Sequence, residues 1–122
     1  MVERAQVVLF LDLMRACAEC SFRLEHRTKN MATLAQVGIT IEDAKARVLA
    51  LTPDCYVEGP IPRPENPSQE AWVFGMTIQQ TQVYLKVSVR LEPARCLCIS
   101  FHEAEYPMRF PYACGTEGAG ER

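Results

Sequence analysis

From Glu70 to His102 apolar and polar positions alternate with a period of two, broken twice, which predicts three consecutive antiparallel strands. Trp72, Phe74, Met76 and Ile78 form one apolar row, Val83, Leu85, Val87, Val89 and Leu91 a second, and Leu97, Ile99 and Phe101 a third. With Gln79 and Gln80 as the first loop and Glu92, Pro93 and Ala94 as the second, these rows coincide: Val89 faces Leu97, Val87 faces Ile99 and Leu85 faces Phe101. The intervening rows then coincide too. Tyr84 falls opposite His102, Lys86 opposite Ser100, Ser88 opposite Cys98 and Arg90 opposite Cys96, each pair about 5 Å apart at Cβ. Gly75 comes beside Tyr84 and leaves a gap in the side-chain layer where a ligand could approach the backbone.

Residues 3 to 20 are apolar on more than one side, which predicts a largely buried helix. Ser21 to Arg27 alternates Phe22, Leu24 and His26 against Arg23, Glu25 and Arg27, the pattern of a half-buried strand, and a basic turn follows at Arg27, Thr28 and Lys29. Asn30 suits the N-cap of a short helix carrying Met31, Leu34 and Ala35, with Gly38 ending it in the left-handed conformation. Thr40 and Asp43 form a capping-box pattern ahead of the apolar stripe Ile41, Ala44, Val48, Leu49 and Leu51. One more helical turn starts at Thr52 with Pro53 in its first position. Gly59, Pro60, Pro62, Pro64 and Pro67 then predict an extended loop. The pattern describes an α+β domain, an antiparallel sheet with a C-terminal three-stranded meander packed by N-terminal helices. It covers residues 1–114, and 115–122 form a tail.

Composition narrows the function classes. The chain has 122 residues, 48% hydrophobic and 23% charged, which suits a globular core, and a formal charge of −2. Bulk charge therefore does not draw it to nucleic acid, and RNA binding needs a local basic face. The apolar run Val7 to Leu11 is too short for a membrane span and lacks the flanks of a secretory signal, so a cytoplasmic location is expected, with no membrane partner. In that compartment the cysteines at 17, 20, 55, 96, 98 and 114 stay reduced. Cys17-x-x-Cys20 and Cys96-x-Cys98 have the number of thiols for a zinc site, but their helix and strand settings lack the turns such ligands occupy, and no metal or other cofactor is expected.

The string Gln82-Val83-Tyr84-Leu85-Lys86-Val87, followed by Cys98-Ile99-Ser100-Phe101-His102, resembles the C-terminal sheet of the MqsR family of bacterial toxins. The resemblance is best over residues 72–112. It implies a RelE-like fold and a ribonuclease of a type II toxin-antitoxin system, acting on mRNA and restrained by a cognate antitoxin that carries a helix-turn-helix DNA-binding part. Tyr84 matches a tyrosine considered catalytic in that family. His102 falls where the family has a lysine, Val73 replaces a glutamine, and Val57 or Glu58 stands where a lysine is expected.

RNA can be cut without metal because its own 2′-hydroxyl attacks the adjacent phosphorus; the protein supplies a base, an acid and positive charge. His102 is the natural proton carrier, Tyr84 a proton or hydrogen-bond donor, and Lys86 completes the catalytic set. Arg90, Lys29, Arg27 and Arg23 are the candidate RNA-binding cations. The same residues also fit a solvated sheet face, and the alternative function is a non-catalytic interaction domain that binds a protein or RNA partner through that face. His26 reads as a core or boundary histidine. Tyr106, Phe110 and Tyr112 read as packing residues of a C-terminal loop, with base stacking or partner binding as the other possibility.

Overall fold

The computed structural model describes residues 2–113, apart from the side chains of residues 67 and 68, and within them three helices accompany a five-stranded mixed sheet. The chain runs α1 (Arg4–Cys20), β1 (Phe22–Leu24), α2 (Thr28–Val37), α3 (Ile41–Leu49), one 3-10 turn (Pro53–Cys55), β2 (Tyr56–Arg63), β3 (Asn66–Ile78), β4 (Thr81–Leu91) and β5 (Ala94–Glu103). Across the sheet the order is β1-β5-β4-β3-β2, with β1 parallel to β5 and the other neighbours antiparallel. The α+β expectation holds at this level, but the sheet is mixed and not antiparallel throughout, because the chain leaves β1 through helices and β1 pairs parallel with β5. Cys114 and the tail lie outside the described residues.

The meander is present, and its first hairpin turns as expected at Gln79 and Gln80, whose φ values of 50° and 70° are those of a turn matched to the strand twist. The second hairpin differs. Leu91 pairs with Ala94, so the loop is Glu92 and Pro93 alone, and a bulge at Ile99 restores the register beyond it. Tyr84↔His102, Leu85↔Phe101 and Lys86↔Ser100 are as predicted. Closer to the turn the partners shift by one: Val87↔Cys98, Ser88↔Leu97, Val89↔Cys96 and Arg90↔Arg95. Cys96 and Cys98 therefore face the core, not the polar face assigned to them, because a two-residue loop plus one extra residue reverses parity. Cysteine packs as a small hydrophobe, so the strand reads apolar on both sides and the alternation alone does not choose.

Three other boundaries move. The proline-rich segment expected as a loop is the edge strand β2, bulged against β3; an edge strand leaves alternate N–H groups outside the ladder, where proline is tolerated. The strand expected over Ser21–Arg27 shrinks to Phe22–Leu24, and His26 lies beyond it, exposed. Helix α2 begins at Thr28 behind Arg27, so Asn30 is inside the helix and not its cap. Its side chain is fully buried, donating from Nδ2 to the carbonyls of Ile99 (3.0 Å) and Glu25 (2.8 Å), while Oδ1 accepts from Phe101 N–H (2.9 Å). Thr33 Oγ1 accepts from Glu103 N–H at 2.9 Å. Where β1 ends, α2 thus satisfies the open edge of β5 and supports the bulge.

The core lies between α1 and one face of the sheet. Val7, Phe10, Leu11, Met14, Cys17 and Ala18 form a single buried stripe, whereas Leu9 and Leu13 are exposed, so α1 is amphipathic and not buried all round. Phe10 stacks on Trp72 with ring centroids 4.5 Å apart, and Phe74 and Tyr56 extend the aromatic group. Arg15 donates to the carbonyls of Leu49 and Leu51, tying α1 to the end of α3. The capping box of α3 forms in both directions, each hydrogen bond 3.0 Å, and Gly38 ends α2 at φ 74°.

Candidate functional site

The face of the sheet turned away from α1 carries the polar row of β4. Tyr84 and His102, directly opposite on β4 and β5, stack with centroids 5.3 Å apart and an interplanar angle of 17°. Both are half-buried. Burial, and secondarily the Glu58 carboxylate, push the Tyr84 phenol above its ordinary pKa, so it stays protonated and can donate. His102 Nδ1 lies 2.9 Å from the Glu103 carbonyl. In the neutral ring a proton on Nδ1 suits that contact and leaves Nε2 as the acceptor. Lys86 sits one pair further along, opposite Ser100.

The gap expected at Gly75 is closed by the chain itself. A Cβ at Gly75 would lie 2.7 Å from the Met108 sulfur and 3.0 Å from Phe110, so the segment after β5 crosses the sheet here. Tyr112 continues this strap, its ring 5.6 Å from that of Tyr56 and its hydroxyl donating to the Val2 carbonyl. Phe110 and Tyr112 pack as expected, while Tyr106 is 79% exposed. His102 also borders the α2 side of the sheet. There a depression of about 350 Å³ is lined by His102, Lys29, Thr33, Gln36 and Glu105.

The candidate cations separate into groups. Lys29 lies beside His102 across that depression but is ion-paired with Glu105, whose carboxyl it holds below the usual range. Arg27 pairs with Glu25 at 3.1 Å. Arg23 is exposed on β1. Arg90 is six residues from Tyr84, about 20 Å along the strand, beyond reach of the same phosphate. It lines a separate polar cleft of about 250 Å³ with Arg63, Arg95, Gln69 and Glu25. Arg63 and Arg95 were missed in the sequence: the first was hidden among prolines, and the second takes the polar face only through the shortened turn.

The thiols of Cys17, Cys20, Cys55, Cys96 and Cys98 are free. Burial drives the Cys96 thiol from its ordinary 9.0 to about 12, and raises that of Cys98 as well. Among the described residues no three His, Cys, Asp or Glu side chains are grouped to hold a metal ion, and no helix is long and apolar enough to cross a membrane. No family model, curated protein or solved structure matches the chain.

Proposed function

We propose that this chain is a metal-independent endoribonuclease of the MqsR type, with a RelE-like fold, acting on mRNA in the bacterial cytoplasm as the toxin of a toxin-antitoxin pair. The observation that carries the reading is the stacked Tyr84–His102 pair on the polar sheet face, with Lys86 on the same row and Lys29 across the depression. His102 Nε2 takes the proton of the attacking 2′-hydroxyl, Tyr84 donates to the phosphate or the departing 5′-oxygen, and Lys86 offsets the charge that builds on phosphorus. The resemblance around Tyr84 supplies the toxin and the cognate antitoxin.

A second reading, an interaction domain on the same fold, is favoured by the strap that fills the gap at Gly75 and narrows the exposed polar face. The two separate in one experiment. Purified protein incubated with RNA and a chelator should release fragments ending in a 2′,3′-cyclic phosphate, and a 2′-deoxy sugar at the cut position should block cleavage. RNA left intact favours the interaction domain.

A further inference from the structure

At the end of the polar face farthest from Tyr84, Arg90 and Arg95 stand directly opposite each other on β4 and β5. Like charges so placed repel at a cost in stability. Among the described residues neither arginine forms an ion pair. Arg63 reaches the same cleft from the end of β2, with its side chain only 11% exposed, Nη1 donating to Gln69 (2.7 Å) and Nη2 to Glu65 (3.1 Å). Its Nε is buried with no acceptor, a second local cost. The carboxylate on the cleft wall, Glu25, is already engaged by Arg27. Three guanidiniums therefore line one cleft, in a chain whose net charge is −2. While Arg63 is met by Glu65 and Glu25 is taken by Arg27, Arg90 and Arg95 have no carboxylate of their own among the described residues.

Arg63 is held in place by Gln69 and Glu65, and an anion entering the cleft would offset the repulsion between Arg90 and Arg95. Guanidinium forks suit phosphate oxygens. The geometry points to a phosphate-binding subsite formed by Arg63, Arg90 and Arg95, which holds the RNA backbone a few nucleotides from the bond cut at Tyr84 and His102. This rests on the ribonuclease reading. Lys86 and Ser88 lie on the same row between the two sites, so a strand laid along β4 would meet Tyr84, Lys86 and then the arginines in turn. A single strand needs such an electropositive track because its phosphates supply most of the binding free energy.

The probe is a fluorescent 2′-O-methyl oligoribonucleotide of about ten residues, whose blocked hydroxyls cannot attack, a length within single-strand site sizes. Its affinity is measured against salt for the parent, Arg90→Ala, Arg95→Ala, the double variant and Arg47→Ala, which removes a charge outside the cleft; thermal melting establishes that each is folded. Each cleft variant should lose about five- to tenfold in affinity and flatten the logarithmic salt slope by about 0.7. A folded double variant that loses no more than Arg47→Ala overturns the subsite, including the case in which inorganic phosphate alone raises the parent's melting temperature. Weakened binding in the cleft variants of a protein that cleaves no RNA keeps the subsite as an RNA-phosphate site and overturns the ribonuclease reading instead.

Discussion

Asn30 does for β5 what a neighbouring strand would do. Its amide supplies a donor to Ile99 and an acceptor to Phe101, the residues on either side of Ser100, and so holds the bulge that returns His102 to the face of Tyr84. Asn30→Ala should cost about 2–4 kcal/mol, because it leaves a buried N–H and buried carbonyls unpaired. Urea unfolding measures this, and a loss under about 0.5 kcal/mol, the size of an ordinary surface substitution, would contradict the role. At the site, the contrast between neighbours is chemical. Burial raises the Tyr84 phenol pKa, and His102 Nδ1 lies against the Glu103 carbonyl, which in the neutral ring suits a proton on Nδ1 and leaves Nε2 to accept.

Among the elements, the hairpin of β3 and β4 turns through two glutamines at positive φ, a conformation that disfavours side chains with a Cβ. Replacing Gln79 and Gln80 by Asn-Gly should raise stability by about 0.5–1 kcal/mol, read as a higher melting temperature; an unchanged or lower one would count against the turn geometry. The same hairpin was legible in the sequence, since Met76, Ile78, Val83 and Leu85 alternate without ambiguity around a fixed two-residue loop. The α3 capping box and Gly38 were legible for a related reason: local hydrogen bonds and a left-handed φ depend on a few adjacent residues. The strand β2 was not legible, because Pro60 and Pro62 remove N–H groups and only its place at the sheet edge makes that harmless. Nor was the half of β5 near the turn, where cysteines on both sides of the alternation left loop length to set the register. That residue of slippage is what concealed Arg95 as the partner of Arg90. The α2 start was misread because Asn30 is as good a cap by type as it is a bridge by position.

For the molecule as a whole, one face of the sheet is sealed by α1 and the other carries Tyr84, Lys86 and His102, partly covered by the strap from Glu105 to Ala113. The sealed face includes two thiols whose pKa values burial raises, Cys96 to about 12. In the unfolded chain these thiols ionise near 9.0, while in the folded chain they keep their protons well above that. The folded state then binds more protons, so stability is constant below the unfolded pKa and falls as pH rises from about 9 towards 12. The slope from Cys96 is about 1.4 kcal/mol per pH unit within that window. Urea unfolding across it should show the decline, and Cys96→Ala should flatten it; an equal decline in both proteins would contradict the assignment. The proposed ribonuclease activity depends on the pairing of Tyr84 with His102, and the most direct measurement is the cleavage rate of one RNA by the parent, His102→Ala and Tyr84→Phe, each checked for folding. His102→Ala should lower the rate by about two to four powers of ten, the usual worth of a positioned acid or base, and Tyr84→Phe should also slow it. A folded His102→Ala that cleaves at the parent rate would contradict the account.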